Sequence, residues 1–376
     1  MRVCVVVLNS VWFDPRVRKQ IRSYIDNGVE LSCVGYKCGR YEEEKVAALP
    51  CSATIVENDK NYTGHLRSPI KKLKREWQKD RRVADAIVAF RPDVIHANDL
   101  NTLPACVKAA RKLGCKVIYD SHEICTENHR TTGFLKLYSV LSEKRHIKKV
   151  DHMVCVSNAA AEYFKKRYNI QKPMVVTNCS LKAEQASSEE KNPGFEVLNH
   201  GQFYEGRGYD LMVETIPFLK EYPDIKLALR GFGTLEESLR TRAAELGNEK
   251  FIFYPKVLVQ ELIPMASRSS VGVAITEPVC LNFELSVSNK LFEYAAAGLP
   301  VIMSDIPEHR YLNGKYQFGV IIPENTPEAF AEAVIKLYND KPFYEQCVKN
   351  AKKLSDEINW ENEFGKLIEF EKELCR

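Results

Sequence analysis

Short apolar runs and longer amphipathic segments alternate along most of this 376-residue chain. In the first half the apolar runs are rich in β-branched residues and lie at residues 2–8, 31–36, 93–96, 116–120, 152–156 and 173–177. Segments with apolar residues at helical spacing separate most of them, as at 17–26, 81–90 and 103–113. This alternation predicts a parallel β-sheet that is covered by helices on both faces.

The same rhythm restarts after a polar segment at residues 181–194, which ends in Pro193 and Gly194. Further strand-like runs follow at residues 196–200, 225–229, 251–254, 271–275, 300–303 and 318–322. A chain of this length is too long for one comfortable core. The sequence therefore predicts an α/β protein with two Rossmann-like domains, at residues 1–180 and 195–359, joined by a linker at 181–194. We expect the carboxyl ends of both sheets to face one cleft.

Composition and cysteine usage indicate a cytoplasmic protein. Hydrophobic residues make up 45% of the chain, yet no run approaches the length needed to span a bilayer. The first residues enter a strand directly and lack the small-residue cleavage site of a secretory signal. The twelve cysteines are scattered without any Cys-x-x-Cys pair, which is typical of reduced thiols.

The net charge of +4 is distributed unevenly between the two halves. Residues 1–180 carry 32 Lys and Arg against 19 Asp and Glu, whereas residues 181–376 carry 22 against 31. We therefore expect the basic half to face an anionic partner, either a membrane surface or a nucleic acid. Because no recognised nucleic-acid-binding motif accompanies the charge, we expect no nucleic-acid partner.

Residues 66–82 concentrate the positive charge, with eight basic and two acidic residues. Apolar residues recur at helical spacing in and just after this stretch, at Ile70, Leu73, Trp77, Ala84 and Ile87. One interpretation is a basic amphipathic helix that lies on an anionic bilayer, with Trp77 at the interface, as in a peripheral membrane protein. The other is an ordinary surface helix that packs its apolar stripe on the first domain.

Two glycine pairs follow neighbouring strands of the predicted second domain. The two segments contain Gly201, Gly206, Arg207 and Gly208, and then Arg230, Gly231 and Gly233. Glycines let backbone amides approach a phosphate closely, and Arg207 presents a planar fork that suits a diphosphate. Neither pair completes a dinucleotide fingerprint, because the third glycine is missing from both.

A short helix is predicted to begin near Ser288 and Asn289 and to end at Gly298. The unpaired N–H groups and the dipole of such a helix attract anions, and Lys290 adds a positive charge there. Glu293, one turn further on, is placed to accept hydrogen bonds from a sugar diol. The alternative is a purely structural helix whose Glu293 is solvated. Because this helix and both glycine pairs lie at carboxyl strand ends of one domain, we expect them to share a site for a phosphate-linked nucleotide.

Motifs at several places along the chain occur in the order of a known family. They read Asp-Pro-Arg-Val at 14–17, Asn-Gly at 27–28, Pro-Asp-Val-Ile-His-Ala-Asn-Asp at 92–99, Tyr-Asp-Ser-His-Glu at 119–123, Val-Ser-Asn at 156–158, the Gly-Arg-Gly segment at 201–208 and Asn-Lys-Leu-Phe-Glu-Tyr to Gly-Leu-Pro-Val at 289–301. Nearly from end to end, their order and spacing resemble those of the retaining GT-B fold glycosyltransferases of the family 4 type.

The resemblance implies transfer of a sugar from a UDP- or GDP-sugar, with retention at the anomeric carbon. The acceptor would be a glycan or a lipid-linked molecule in cell-surface polysaccharide synthesis. The nucleotide-sugar would be a co-substrate, with no other cofactor and no metal. The donor-binding residues would be Gly201, Arg207, Gly208, Arg230, Gly231, Gly233, Ser288, Asn289, Lys290 and Glu293.

The resemblance also implies particular roles. Arg207 would hold the donor diphosphate, and Glu293 would bind the ribose hydroxyls. His122 would be a catalytic residue near the donor sugar, whereas Asp99 and Asp14 would border the acceptor. The helix at residues 360–376 would pack back on the first domain.

Two departures from the family pattern leave alternatives open. Leu285 stands where the family has the first Glu of its Glu-x7-Glu motif, with Glu284 beside it. Gln202 stands where the family has a second basic residue, for which Lys290 or Arg230 could substitute. The alternatives are a nucleotide-sugar 2-epimerase of the same fold and a non-catalytic nucleotide-sugar binding protein.

The sequence gives no sign of a metal site. It contains no Asp-x-Asp motif, and its histidines at 96, 122, 146 and 152 never lie at ligand spacing. A metal-free transferase must neutralise its diphosphate leaving group with cations and helix N-termini. Arg207, Lys290 and the amides around Ser288 are the candidates.

Overall fold

The computed structural model describes residues 1–9, 11, 14–36, 49–56, 69–184 and 190–376. The chain divides into two compact units. The first consists of Met1–Thr177 together with Glu363–Arg376, and the second consists of Asn178–Asn362. The segment that we expected to be a linker, at 181–194, belongs to the second unit, and its residues 185–189 lie outside the described residues.

A parallel sheet of seven strands forms the centre of the first unit. The strands are β1 (Arg2–Val6), β2 (Glu30–Tyr36), β3 (Ser52–Val56), β4 (Val94–Asn98), β5 (Lys116–Ser121), β6 (His152–Cys155) and β7 (Met174–Val175). The helices that follow them are α1 (Pro15–Asp26), α2 (Pro69–Phe90), α3 (Leu103–Leu113), α4 (Gly133–His146) and α5 (Asn158–Tyr168). The strand order is β3-β2-β1-β4-β5-β6-β7, so the order reverses between β1 and β4.

A parallel sheet of six strands forms the centre of the second unit. The strands are β8 (Phe195–Gln202), β9 (Ile225–Phe232), β10 (Phe251–Tyr254), β11 (Val271–Ala274), β12 (Val301–Ser304) and β13 (Gly319–Ile322), in the order β10-β9-β8-β11-β12-β13. The helices are α6 (Tyr209–Glu214), α7 (Glu236–Gly247), α8 (Val259–Ser267), α9 (Leu281–Leu285), α10 (Asn289–Ala296), α11 (Pro307–Tyr316), α12 (Pro327–Asn339) and α13 (Lys341–Glu357). Here the order reverses between β8 and β11.

Apolar side chains that are buried on both faces of each sheet explain these strands. All four residues from Val3 to Val6 in β1 are fully buried, and so are Val301, Ile302 and Met303 in β12. Strands that are covered on both faces read as continuous apolar runs, which is how they were recognised in the sequence. The prediction of an α/β protein with two doubly wound parallel sheets is confirmed.

The edge strand β3 is absent from the sequence prediction. Its residues are Ser-Ala-Thr-Ile-Val, and only Val56 is buried, whereas the preceding four are exposed. Because four of its five side chains are exposed, this strand gains little from apolar residues. Its sequence therefore lacks the apolar run by which the other strands were found.

The basic stretch at 66–82 falls mostly within α2, and its residues 66–68 lie outside the described residues. Ala84 and Ile87 are fully buried, whereas Leu73 is 46% exposed and Trp77 is 56% exposed. Of the predicted apolar stripe, Ala84 and Ile87 thus pack on the first unit, whereas Leu73 and Trp77 face solvent; the Ile70 side chain lies outside the described part of the chain. Among the helices of the described ranges, none is long and apolar enough to cross a bilayer.

The last helix, α14 (Trp360–Leu374), adds buried groups to the first unit. The Tyr24 hydroxyl on α1 donates to the Glu371 carboxylate, at 2.7 and 2.8 Å from its two oxygens. The same hydroxyl lies 2.9 Å from His96 Nδ1, and the Phe364 ring packs edge-on against Tyr24 with centroids 5.2 Å apart. All four side chains are buried.

Candidate functional site

Two neighbouring strands pair through glycines at the carboxyl edge of the second sheet. Gly201 on β8 pairs in register with Gly231 on β9, which has a φ of +150°. A Cβ on Gly231 would lie 1.8 Å from the Gly201 carbonyl oxygen, and one on Gly233 would lie 2.5 Å from the Phe203 backbone. Both positions therefore require glycine for strand packing, independently of any ligand.

Arg207 lies in the loop between β8 and α6, between two glycines with left-handed backbone. Gly206 has a φ of +78° and Gly208 a φ of +70°, and Gly208 precedes the first turn of α6. The Arg207 guanidinium lies over the Phe283 ring, 4.7 Å from its centroid. Burial lowers the pKa of Arg207 from its usual value. An arginine nevertheless remains protonated, so this loop holds a half-buried positive charge.

Lys290, in the first turn of α10, points toward the end of β8. Its ammonium donates to Asn199 Oδ1 at 2.7 Å and to the Tyr209 hydroxyl at 3.2 Å, and it lies 4.7 Å from the centroid of the Tyr209 ring. Burial and the Arg207 charge lower the pKa of Lys290 to about 7, against the opposing effect of Glu293. The lysine is therefore a cation whose charge is costly in the absence of an anion.

Glu293, one turn after Lys290 on α10, is held by a histidine. Its Oε2 lies 2.7 Å from His200 Nε2. The His200 side chain is 1% exposed and stacks on Tyr294 with centroids 4.4 Å apart, whereas the Glu293 side chain is 27% exposed. The histidine thus fixes one carboxylate oxygen from the protein side while the carboxyl group remains accessible to a solute.

The N-terminus of α10 lies beside these groups. Ser288 is the residue before the helix, is 9% exposed, and makes no side-chain capping bond; Asn289 follows it as the first helical residue and is exposed. Arg230, in contrast, lies over the Tyr254 ring at 4.5 Å and donates to the Pro255 carbonyl, toward β10. The second unit therefore groups Arg207, Lys290 and Glu293 together, whereas the contacts of Arg230 lie along the neighbouring strand.

Sequence reasoning missed three members of this group. Asn199 orients Lys290, and its amide donates to the Arg207 carbonyl at 3.2 Å. His200 orients Glu293, and Tyr209 contacts Lys290. The only signal in the sequence was the position of Asn199 and His200 at the end of a strand, just before Gly201.

At the carboxyl edge of the first sheet, His122 is held between β4 and β5. Its Nε2 lies 2.9 Å from Asn98 Oδ1, its backbone N–H donates to Asp99 Oδ1 at 3.1 Å, and its Nδ1 lies 3.4 Å from Asp99 Oδ2. Burial acts to lower the pKa of His122, but the Asp99 and Asp120 carboxylates raise it above its usual value. Asp99 itself has a φ of +63°, and burial raises its pKa.

A buried ion pair that the sequence analysis did not identify lies beneath His122. Arg16 Nη2 donates to both Asp120 oxygens at 3.0 and 2.9 Å, and its Nη1 donates to the Val176 carbonyl at 3.1 Å. Burial alone would raise the pKa of Asp120, but Arg16 and His122 hold it well below its usual range. Asp120 Oδ2 also accepts from Gln20 at 2.7 Å and lies 3.6 Å from His122 Nε2.

Asp14 serves a local structural purpose. Its carboxylate accepts hydrogen bonds from the backbone N–H groups of Arg16 and Val17, at 3.0 and 3.1 Å, and thereby caps α1. A capping carboxylate satisfies N–H groups that lack a partner within the helix. Asp14 therefore fixes the start of α1 and, with it, the backbone position from which the Arg16 side chain extends.

The fold is similar over its whole length to solved structures. Sucrose-phosphate synthase from Thermosynechococcus elongatus has a TM-score of 0.76 and 14% sequence identity, with 100% of this chain and 99% of that chain covered. Anabaena HepE in complex with UDP has a TM-score of 0.71 and 12% identity, with 98% and 99% covered. Together with the two doubly wound sheets, these similarities define a protein of the GT-B fold class.

Two family models match consecutive parts of the chain. The model described as Glycosyltransferase Family 4 matches residues 16–181, and the model described as Glycosyl transferases group 1 matches residues 182–354. The chain therefore belongs to the GT-B glycosyltransferases of the family 4 type. A curated relative, an uncharacterised glycosyltransferase of Methanocaldococcus jannaschii, is 24% identical over 170 residues; the match spans 44% of this chain and 42% of the relative.

Proposed function

We propose that this glycosyltransferase moves a hexose from a UDP- or GDP-sugar to a glycan or lipid-linked acceptor, with retention at the anomeric carbon and without a metal ion. The observation that carries the proposal is the grouping of Arg207, Lys290 and Glu293 at the carboxyl edge of the second sheet. Anabaena HepE, with the same fold, was solved with UDP and with UDP-glucose, which supports a nucleotide-sugar donor. Synthesis of a cell-surface polysaccharide from the cytoplasmic side remains part of the proposal.

Two cations would act on the leaving group. Breaking the bond between the sugar and the diphosphate builds negative charge on the departing oxygen. Arg207 and Lys290 would neutralise that charge, together with the amides at the start of α10 near Ser288 and Asn289. A bound diphosphate would also raise the pKa of Lys290 from about 7, because an anion favours the charged amine. Donor binding and charging of the lysine would thus be coupled.

Glu293 would recognise the nucleoside part of the donor. A carboxylate accepts hydrogen bonds only, and two vicinal hydroxyl groups donate well to it. The contact with His200 holds the carboxylate in one orientation before the donor arrives. This preorganisation would reduce the entropy lost on binding.

In the first unit, His122 and Asp99 would contact the sugar substrates. Their carboxylate–imidazole arrangement favours a protonated His122, which can donate a hydrogen bond to a sugar hydroxyl. Asp14 would act on the acceptor side through its position at the start of α1. Its capping bonds make this the least direct of the three roles.

Leu285 favours a second candidate function, a non-catalytic nucleotide-sugar binding protein. It ends the short helix α9, and the neighbouring Glu284 is exposed. A leucine cannot accept hydrogen bonds from the transferred sugar, so the chemical step would lose one contact. Slow hydrolysis of the donor in the absence of acceptor would separate an enzyme from a binder.

The first unit would also contact an anionic membrane surface through the basic segment at 66–82. The exposed Trp77 and Leu73 on α2 support this proposal, since both stand among basic residues. The contact would place the enzyme beside a lipid-linked acceptor.

The test of the transferase begins with a screen of UDP-, GDP- and ADP-sugars for stabilisation against thermal unfolding. The donor so found is then used to measure turnover by wild type, Arg207→Ala and Arg242→Ala. Removal of one charge-stabilising group typically costs ~10²–10³ in rate, which we expect for Arg207→Ala. Arg242 is an exposed arginine of the same unit, paired with Glu214, and its variant should match wild type.

Normal turnover by Arg207→Ala would contradict the placement of the diphosphate. NMR of the product determines whether the anomeric configuration is retained. Activity abolished by a chelator, and restored by a divalent cation, would contradict the metal-free mechanism.

A further inference from the structure

Helix α4 has the opposite orientation to that of an ordinary amphipathic surface helix. Its buried residues are Ser139 and Glu143. Leu135, Leu137 and Leu141 are instead 57%, 58% and 58% exposed, and Phe134 beside them is 40% exposed. A surface helix normally turns its leucines to the core and its polar side chains to solvent. Here the polar side faces the protein.

Specific hydrogen bonds hold α4 in this orientation. The buried Glu143 carboxylate accepts from the Tyr119 hydroxyl at 3.0 Å and from the Tyr168 hydroxyl at 2.5 Å. Both tyrosines belong to neighbouring elements, β5 and α5. Rotating α4 to bury its leucines would leave this carboxylate without these partners, which is costly for a buried polar group. The exposed apolar face, defined by Phe134, Leu135, Leu137 and Leu141, is therefore fixed by the fold.

The segment that carries the apolar face of α4 is strongly basic. Residues 130–149 contain six basic residues, all exposed, and one acidic residue, the buried Glu143. The basic residues are Arg130, Lys136, Lys144, Arg145, Lys148 and Lys149. Among these, Lys136 has an acidic neighbour in Glu127, at 3.3 Å. Any partner of this face must therefore accept both leucine side chains and cations.

The same character continues onto the neighbouring helices. Burial, and then the nearby charges of Asp80 and Glu76 on α2, raise the pKa of Tyr138 on α4 to about 12. On the outer side of α2, Trp77 is exposed, and the Lys108 ammonium of α3 lies 5.3 Å from the centroid of its ring. The exposed Trp77 and the Lys108 ammonium thus place an aromatic ring and a cation at α2, a helix that lies near α4.

We infer that the apolar face of α4 inserts into the interface of an anionic lipid bilayer. Leucine and phenylalanine side chains enter the region between headgroups and acyl chains, while flanking lysines and arginines contact acidic headgroups. A second copy of the chain fits poorly, because a twofold interface would bring two equally basic faces together. The inference rests on the proposed membrane contact of residues 66–82, and it assigns the insertion to α4 rather than to α2 alone.

Co-sedimentation with vesicles tests the inference. One set of vesicles contains equal parts of phosphatidylglycerol and phosphatidylcholine, and the other contains phosphatidylcholine alone. The test variant is Leu135→Ser/Leu137→Ser/Leu141→Ser. The matched control is Phe218→Ser/Val259→Ser/Tyr311→Ser, which removes three exposed apolar side chains of the second unit that are 43%, 73% and 51% exposed. Thermal unfolding verifies that both variants are folded.

We expect wild type and control to bind the anionic vesicles and not the neutral ones. The α4 variant should bind them on the order of tenfold more weakly, because it lacks the inserting side chains. Equal binding by the α4 variant would overturn the role of α4 while leaving the membrane contact of α2 intact. No binding by wild type at low salt would overturn both, and equal binding of wild type to neutral vesicles would overturn the anionic partner.

Two further measurements distinguish membrane insertion from self-association and from a role in catalysis. Sedimentation equilibrium without lipid would overturn the inference if wild type were a dimer, the α4 variant a monomer, and vesicles unbound. Turnover of a donor with a water-soluble acceptor should be the same for wild type and the α4 variant. A failure of the transferase proposal would thus appear in that assay and not in vesicle binding.

Discussion

The Glu293 carboxylate and the His200 imidazole lie 2.7 Å apart at their closest atoms, with the histidine buried behind the carboxylate. The pair is formed by two elements that are far apart in sequence, the end of β8 and the middle of α10. Neither residue type alone indicates a nucleotide site. Their contact turns Glu293 into an oriented acceptor at the accessible edge of the second sheet.

We predict that Glu293→Gln weakens the binding of UDP or GDP about 10- to 100-fold, since a hydrogen bond to a charged group contributes about 1.5–3 kcal/mol. The loss should depend on the ribose hydroxyls. Calorimetric titration with the corresponding 2′,3′-dideoxy nucleotide is the control. Wild type and variant should bind that ligand alike, and an equal loss with both ligands would place Glu293 elsewhere on the nucleotide.

We predict that nucleotide binding weakens as pH rises above about 7, because Lys290 loses its proton there in the free protein. Between the pKa of the free lysine and its higher value in the complex, affinity should fall by up to about tenfold per pH unit. Titrations of UDP or GDP at pH values from about 6 to 9 measure this slope. Lys290→Met should remove it, and any slope left in the variant belongs to the ligand.

The same lysine makes a prediction for stability without ligand. Its pKa is lower in the folded than in the unfolded protein, so the unfolded state binds more protons between about pH 7 and the ordinary lysine pKa. Stability therefore rises with pH in that window. In denaturant unfolding, the free energy of unfolding of wild type should rise relative to that of Lys290→Met from pH 7 to pH 9. A constant difference between the two proteins would mean that Lys290 is charged in the free protein.

We predict that Arg16→Met destabilises the protein by about 3–5 kcal/mol, because it leaves the buried Asp120 carboxylate without its cation. The double variant Arg16→Met/Asp120→Asn should recover part of this loss. Urea unfolding measures both free energies. A loss under about 1 kcal/mol for Arg16→Met would mean that Gln20 and His122 suffice to hold the carboxylate.

We predict that Gly231→Ala destabilises the second unit by about 3 kcal/mol or more, since its Cβ would overlap the Gly201 carbonyl oxygen. Gly365→Ala is the matched control. Gly365 lies in α14 with no atom within 4 Å of the added Cβ, so alanine there should leave stability unchanged or raise it by up to about 1 kcal/mol. Thermal unfolding of the two variants checks the contrast.

Much of the fold could be predicted because its strands are apolar on both faces, as in Val3 to Val6. Where the burial of residues does not follow their hydrophobicity, the prediction of structure from sequence was wrong or absent. β3 was missed because only Val56 of its five residues is buried. The inverted orientation of α4 was not predicted, because the pattern of leucines alone does not indicate that Glu143 is buried.

The candidate site was predicted less completely than the fold. Arg207 and Lys290 could be predicted because each is a charged residue in a recognisable local pattern. Arg207 lies between two glycines, and Lys290 lies at the start of a helix. Asn199 and His200 act through contacts with a distant helix, and no local spacing encodes such contacts. Two glycines with motif spacing, Gly231 and Gly233, turned out to be required by strand packing, so their residue type alone is weak evidence for a ligand.

The contact between Tyr24 and Glu371 has a consequence for biosynthesis. The first unit is assembled from the opening 177 residues and from the final segment at 363–376. During translation, more than half of the polypeptide must be made after Tyr24 and His96 before Glu371, the acidic partner of both side chains, emerges from the ribosome. Until the second half has been made, these polar groups of the nascent amino-terminal half lack the carboxylate that they contact in the folded protein.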